Sequence, residues 1–166
     1  MPYHSLREFI DRLENENELV RIKDHVSPIL EITEITDRVS KQPGGGKALL
    51  FENVEGSNIP VLINAFGSSK RINMALGVRD IEKIPNDIDK YLKIKPPSSL
   101  LEKVKLLPML LEAAAFPPKM VSSRQASCQE VVLTGDDVDL GKIPILQCWP
   151  NDAGRFITFP IVVNRT

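Results

Sequence analysis

The sequence predicts a mixed α/β fold of the α+β kind, followed by the opening strands of a separate β domain. Up to about residue 115, helix start signals and helically spaced apolar stripes alternate with short strand-like runs. A loop rich in proline and serine follows at residues 116–128, and only strand-like segments come after it. We therefore predict two domains, residues 1–118 and residues 119–166.

The composition excludes several classes of protein. Hydrophobic residues make up 42% and charged residues 26% of the 166, as in globular proteins, so wholesale disorder is excluded. The net charge of −1, without any long run of like charge, argues against a nucleic-acid partner. The sequence contains no apolar stretch of about 18 residues and no apolar signal-peptide core at its start. Cys128 and Cys148 are too few for a disulfide framework, so we expect reduced thiols in a cytoplasmic protein.

Two helices are predicted from their start signals. Ser5 and Glu8 have the spacing of a capping box, and a helical apolar stripe follows them. That stripe comprises Leu6, Phe9, Ile10 and Leu13. A short strand is then predicted at residues 19–22. The second helix is predicted to begin at Ser27-Pro28, because serine caps helices and proline fits the first helical position. Its stripe comprises Ile32, Ile35 and Val39.

The remaining elements are predicted from apolar runs and breakers. Strands at residues 48–54 and 61–65 are joined by a turn, and a short helix follows at residues 71–76. Residues 80–115 are predicted to form interrupted helices, the last one kinked at Pro108. In the rear domain we predict strands over residues 130–133, 143–146 and 155–164.

The last predicted strand has too few neighbours. Phe156–Val163 is a nearly continuous apolar run, which predicts a strand buried on both faces. Its edges need partners because unpaired backbone groups are costly. Few candidates exist before Thr166, so we expect the chain to be incomplete.

One glycine-rich motif invites a phosphate-binding interpretation. Pro43-Gly44-Gly45-Gly46-Lys47 joins glycines to a lysine, but a P-loop needs four residues between its glycines and Ser or Thr after the lysine. Ala48 follows here, and the predicted order is helix then strand. We interpret the segment as a flexible turn that breaks the second helix.

Other polar residues form no recognisable centre. Asp136, Asp137 and Asp139 lack the further ligands of a calcium loop and are interpreted as a solvated turn. His4 and His25 lie far apart, unlike zinc ligands, and are interpreted as surface or cap residues. No metal site is predicted from this chain.

Two positions near the end carry weak functional signals, and Cys148 carries none. Cys148 has no histidine near it in sequence, and we expect both cysteines to be structural. Thr158 is a lone hydroxyl in an apolar strand, which a satisfied core threonine also explains. Pro160 removes a ladder donor and predicts an edge or bulge beside it. From residues alone, no catalytic constellation is present.

An ordered series of segments resembles the UbiD family of decarboxylases over essentially the whole chain. In the front part the segments are 6–10, 18–22, 30–38, 48–53 and 60–68. In the rear part they are 128–130, 135–140, 143–145, 148–150 and 154–158. The resemblance implies an α/β domain followed by the first strands of a split β-barrel that binds prenylated FMN. It also implies Mn²⁺ and K⁺ at the cofactor phosphate.

The resemblance further implies a carboxy-lyase of aromatic or α,β-unsaturated acids, such as 4-hydroxy-3-polyprenylbenzoate in ubiquinone or menaquinone biosynthesis. A flavin prenyltransferase would supply the cofactor, and the full-length enzyme would be a homo-oligomer. A lipophilic substrate would allow peripheral membrane association.

Residue by residue, the resemblance carries over little chemistry. Thr158 matches a family threonine near the flavin, and Phe156 and Pro160 are its same-face neighbours. The family's metal-binding Asn and its Arg lie in an Asn-x-Gly-x-Tyr-Arg segment that would follow Thr166. We therefore expect no catalytic or metal residue among the 166, and a polypeptide that binds no cofactor and turns over no substrate by itself. A non-catalytic scaffold domain of the same ancestry and a generic FMN-binding module remain alternatives.

Overall fold

The computed structural model describes residues 3–93 and 125–157, together with residues 104, 107, 108, 111, 117 and 120–122. The chain divides into two compact units, one comprising Met1–Ile81 with Asp139–Thr166 and the other Glu82–Val138. The domain division predicted between residues 118 and 119 stays a prediction.

The first unit is built on a three-stranded sheet. Its elements are α1 (Leu6–Asn15), β1 (Leu19–Val26), α2 (Glu31–Ser40), β2 (Ala48–Val54), β3 (Val61–Ile63) and α3 (Ser69–Leu76). The strand order is β1-β2-β3, with β1 parallel and β3 antiparallel to β2. Helix α2 provides the crossover that parallel strands require. The predicted mixed α/β fold is confirmed.

The central strand β2 is covered on both faces. Its first four residues, Ala48 to Phe51, are all buried, as expected of a strand between two helical layers. Leu50 packs in one cluster with Phe9 and Leu13 of α1. Partly buried residues of α3 join the same cluster. Phe51 packs in a second cluster with Ile32 of α2. The sheet is therefore the middle of three layers.

Helix α1 begins as predicted. The Ser5 hydroxyl accepts a hydrogen bond from the backbone N–H of Glu8 at 3.2 Å. The Glu8 carboxylate accepts one from the N–H of His4 at 2.7 Å, one residue before the cap. Both bonds satisfy donors that the helix start leaves free. Helix α3 uses the same device, since Ser68 accepts from the N–H of Arg71 at 3.2 Å.

Helix α2 does not begin at Ser27-Pro28, so that prediction was wrong. The helix starts at Glu31, and Leu30 precedes it without a side-chain cap. The reason is that residues 28–30 pair with a distant segment. The N–H of Leu30 donates to the carbonyl of Gln147 at 2.9 Å, and the N–H of Gln147 donates to that of Pro28 at 3.1 Å. A backbone committed to this pairing cannot also form the first helical turn.

Two strand lengths also differ from prediction. Strand β1 runs on to Val26 because its parallel pairing with β2 resumes, after a bulge between Ile22 and His25, and ends at Val54. Strand β3 stops at Ile63 rather than residue 65, since only Val61–Ile63 pairs with β2.

The second unit contains α4 (Ile84–Leu92) and two short 3-10 turns, Ser127–Gln129 and Gly135–Asp137. The strand predicted at residues 130–133 is absent, and its apolar side chains are exposed. No other described segment pairs with it, and a strand needs a partner for its backbone groups. Of residues 94–115, where further helix and the kink at Pro108 were predicted, the structure describes only residues 104, 107, 108 and 111, so the kink stays a prediction.

The strand predicted at residues 143–146 is likewise absent. In this part of the first unit the described backbone forms a 3-10 turn, Leu140–Lys142, and one isolated bridge at Gln147. Residues 155–157 are not a strand either, and the rest of the strand predicted there lies outside the described residues. Among the helices that the structure describes, none is long and apolar enough to cross a membrane.

Candidate functional site

An apolar cavity of about 270 Å³ lies in the first unit, where the rear segment packs on the sheet. Its lining comprises Ile63, Ile143, Pro144, Ile145, Leu146, Cys148, Phe156 and Ile157. Phe156, a predicted site residue, contributes a side chain that is 44% exposed. Thr158 and Pro160 lie outside the described residues, and Thr158 follows Ile157 directly in the chain.

Residues 143–157, which form most of the cavity wall, pack on the sheet layer and are hydrogen-bonded to it. The partly buried side chain of Leu146 packs against the second core cluster, which includes Phe51. The Ser57 hydroxyl, in the turn between β2 and β3, donates to the carbonyl of Lys142 at 2.8 Å. The segment then closes on itself, because the N–H of Phe156 donates to the carbonyl of Leu146 at 3.1 Å. The cavity wall is therefore tied to residues far earlier in the chain.

A short turn between the two sides of the cavity is held by Asp152. One of its carboxylate oxygens accepts hydrogen bonds from the N–H groups of Cys148 at 3.1 Å and Trp149 at 2.8 Å. The Cys148 thiol is free and only partly buried. Its side chain forms part of the cavity lining, and the structural role expected of this cysteine stays a prediction.

The glycine-rich segment is a turn, as predicted, but it is held in place rather than flexible. The guanidinium of Arg71 donates to the carbonyl of Gly46 at 2.6 Å, and the amide of Asn64 donates to that of Gly45 at 2.8 Å. These carbonyls face donors of the protein itself. A phosphate cradle would instead present backbone N–H groups toward the ligand.

Arg71 is the one buried charged residue in the described part of this unit, with 1% of its side chain exposed. It pairs with Glu18 at 2.9 Å, and Glu18 also contacts Lys70 at 3.0 Å. Partial burial of Glu18 favours its neutral form, but the hydrogen bonds from Lys70 and Arg71 outweigh this and hold its pKa below the ordinary value.

The burial of Arg71 was not predicted, although the sequence contains a signal for it. Arg71 lies three and four residues before Met74 and Ala75, which pack against the first core cluster. That spacing puts the arginine on the inner face of α3.

The acidic and histidine residues behave as interpreted from the sequence. Asp136, Asp137 and Asp139 lie on exposed turns, and Asp139 accepts from the N–H of Gly141 at 2.8 Å. His4 and His25 are both exposed. Within the described ranges, no three His, Cys, Asp or Glu side chains are grouped to hold a metal ion.

A flavin mononucleotide has a flat, largely apolar ring and a charged phosphate, and the described residues fit only the first. The side chains that line the cavity are apolar apart from the Cys148 thiol, and they would cover part of a ring. It includes no cationic side chain for a phosphate and no carboxylate for a metal. We therefore derive no chemical step through the cofactor from these residues.

Two family models match the chain in order. The N-terminal domain of 3-octaprenyl-4-hydroxybenzoate carboxy-lyase matches residues 10–92, and the Rift-related domain of the same carboxy-lyase matches residues 119–166. The chain belongs to the UbiD family, and it corresponds to the N-terminal part of that family.

Two relatives match nearly the whole chain. A protein of Aquifex aeolicus is 52% identical over 163 residues, which is 98% of this chain and 33% of the relative. A protein of Archaeoglobus fulgidus is 48% identical over 165 residues, 99% of this chain and 32% of the relative. The chain thus spans about a third of the length of these curated relatives.

Among solved structures, an evolved dimeric form of the UbiD-class enzyme HmfF from Pelotomaculum thermopropionicum, in complex with prFMN, has a TM-score of 0.62 at 28% identity. The match covers 92% of this chain and 30% of that one. Vanillic acid decarboxylase of Sedimentibacter hydroxybenzoicus has a TM-score of 0.66 at 25% identity, over 92% of this chain and 29% of that one.

Proposed function

We propose that this chain is part of a prenylated-FMN-dependent, non-oxidative decarboxylase of aromatic or α,β-unsaturated carboxylic acids. The likeness to HmfF in complex with prFMN carries the proposal. The match to both UbiD family models supports it. In this proposal the 166 residues build the front domain and contribute one wall of the cofactor site.

The reaction explains why a cofactor is needed. Loss of carbon dioxide from an sp² carbon leaves an electron pair that acid–base side chains cannot delocalise, so the electron sink must come from a cofactor. The chain's own residues would shape its surroundings. Phe156 and Ile157 would keep water from one side of the ring, and the Thr158 hydroxyl would offer it a hydrogen-bond partner.

Finer features of the proposal rest on the family resemblance alone. They are a 4-hydroxy-3-polyprenylbenzoate-type substrate of quinone biosynthesis, Mn²⁺ and K⁺ at the phosphate, homo-oligomers, a flavin prenyltransferase as supplier and a cytoplasmic location. We also propose that the 166-residue polypeptide, tested by itself, does not turn over substrate.

A chimera tests the proposal. Residues 1–166 replace the corresponding third of the Aquifex aeolicus relative, and the chimera is co-expressed with a flavin prenyltransferase. We expect it to bind the flavin and to release carbon dioxide from hydroxybenzoates or α,β-unsaturated acids. We expect Phe156→Ala to weaken flavin binding about tenfold, because an aromatic contact is lost. Flavin absorbance and carbon dioxide release are the measurements.

The controls separate function from folding. Phe66→Ala removes another exposed phenylalanine that lies outside the cavity, and it should leave flavin affinity unchanged. The unmodified relative shows whether the remaining two thirds can work. A folded chimera that binds no flavin, beside a relative that does, would contradict the proposal and favour the non-catalytic scaffold domain.

A further inference from the structure

Leu30 has the most unusual backbone in the described part of the chain. Its φ is +67° and its ψ is −37°, and the N–H of Glu31 donates to the carbonyl of Ile29 at 2.8 Å across it. This is a γ-turn of the rare, strained kind. The other non-glycine residues described with positive φ are Asn17 and Asn64, and asparagine tolerates this region far better than leucine.

The strain is maintained by the pairing with the rear segment. Leu30 donates its N–H to Gln147, and Gln147 donates back to Pro28, which makes a parallel bridge beside Ile29. A strained residue persists only where its surroundings over-determine it. Here the surroundings are this bridge and the start of α2.

The bridge is one of three interactions that hold residues 142–147 against the sheet layer. The carbonyl of Lys142 accepts a hydrogen bond from the Ser57 hydroxyl at 2.8 Å, and the partly buried Leu146 packs against the second core cluster. Leu146 also presents its carbonyl to the N–H of Phe156 at 3.1 Å. A continuous path of contacts therefore leads from the sheet layer to the wall of the apolar cavity.

We propose that Leu146, with Ser57 and the strained Leu30 turn, positions the cofactor wall, so that flavin affinity depends on docking of residues 142–147 against the sheet layer. The inference rests on the proposed function. These are positioning residues, since they act through Phe156 and Ile157 rather than by touching the flavin. Small displacements of positioned groups have large effects on binding and catalysis.

The test uses three variants in both the 166-residue chain and the chimera. Leu146→Ala removes the side chain that packs against the second core cluster. Ser57→Ala removes the hydrogen bond to Lys142, together with the bond that the hydroxyl accepts from the N–H of Ile59 in its own turn, without entering the core. Leu140→Ala is the matched control, because Leu140 lies just before residues 142–147, is exposed and does not line the cavity. Trp149 is the single tryptophan of the chain, so its fluorescence reports on the segment while far-UV circular dichroism reports on the α/β layers.

We expect Leu146→Ala to raise the flavin Kd of the chimera about tenfold and Ser57→Ala to raise it about threefold, with unchanged circular dichroism. In the 166-residue chain, the Trp149 transition of Leu146→Ala should move to lower denaturant than the circular dichroism transition. Leu140→Ala should show neither effect. Should Leu146→Ala lose its fold, Ser57→Ala decides.

Two results would overturn the inference while leaving the proposed function intact. One is flavin affinity in Leu146→Ala and Ser57→Ala equal to that of Leu140→Ala. The other is release of Trp149 without any change in flavin affinity. If the wild-type chimera binds no flavin at all, the proposed function fails and the positioning role fails with it.

Discussion

Arg71 shows how one residue can join several parts of a fold. Its guanidinium contacts Glu18 before β1 and the carbonyls of Gly45 and Gly46 before β2. A buried arginine is stable only when its charge and its donors are matched, and these partners supply most of that match. Its Nε has no hydrogen-bond partner in the described structure.

We predict that Arg71→Met lowers the free energy of unfolding by about 3 kcal/mol, because the Gly46 carbonyl loses its donor. The Gly45 carbonyl and the partly buried Glu18 carboxylate each lose one of their donors as well. Urea denaturation followed by circular dichroism measures the change. Arg38→Met is the control, since Arg38 is 77% exposed and its pair with Glu34 contributes at most about 0.5 kcal/mol. Equal effects of the two substitutions would contradict a special role for Arg71.

The same cluster predicts sensitivity to acid. The pKa of Glu18 lies below its ordinary value of 4.5 in the folded protein, despite partial burial, because Lys70 and Arg71 bind the carboxylate. A depressed pKa contributes stability that is fully present above the unfolded pKa and is lost as pH falls through the folded pKa. We expect the free energy of unfolding to decrease as the pH is lowered below about 4.5. In the Glu18→Gln variant this decrease should be smaller, because residue 18 can no longer be protonated.

Denaturation curves from pH 7 to pH 3 measure this effect. Glu55→Gln, in the exposed turn after β2, is the matched control and should leave the slope unchanged. A Glu18→Gln protein with the wild-type pH slope would show that the cluster does not supply the acid sensitivity.

At the scale of the elements, three serines that each precede a helix make different hydrogen bonds. Ser5 and Ser68 each accept a hydrogen bond from the third residue after them, which is a helix cap. The Ser27 hydroxyl accepts a long bond, 3.4 Å, from the N–H of Ile29 in the turn before α2. The cap predicted at Ser5 is confirmed, whereas at Ser27 the long-range pairing of residues 28–30 displaced the predicted helix start.

We therefore predict unequal costs for removing these hydroxyls. Ser5→Ala and Ser68→Ala should each destabilise the protein by about 1 kcal/mol, the usual contribution of a helix cap. Ser27→Ala should cost less than about 0.5 kcal/mol, because no helix N–H depends on it. Thermal or urea denaturation of the three single variants compares them directly. A cost at Ser27 equal to that at Ser5 would contradict the observed start of α2.

At the scale of the molecule, the sheet of the first unit is covered by helices on both faces, whereas the described part of the proposed site lacks groups that would bind a phosphate or a metal. The sheet has helices on both faces, and α1, α2 and α3 come from consecutive stretches of sequence. The described lining of the cavity, in contrast, is mainly aliphatic and aromatic and includes no group that would bind a phosphate or a metal. Since the chain spans about a third of its relatives' length, the chemistry of the whole protein rests on the proposal tested with the chimera.

The sequence by itself determined the elements that depend on near neighbours. The capping box of α1, the break after α2 at the glycines and the full extent of β2 are encoded within a few residues, and all three are observed as predicted. The ordered family segments likewise determined the family, because they need only order and spacing.

Only the tertiary structure decided the features that join distant residues. The pairing with Gln147 determines where α2 begins. Glu18 and the carbonyls of the glycine turn stabilise the buried guanidinium of Arg71. Ile63 and Phe156, which are far apart in sequence, line one cavity. The strands predicted at residues 130–133 and 143–146 were wrong for the same reason. A strand-like run forms a strand only if another segment lies beside it to pair with its backbone, and local sequence does not contain that information.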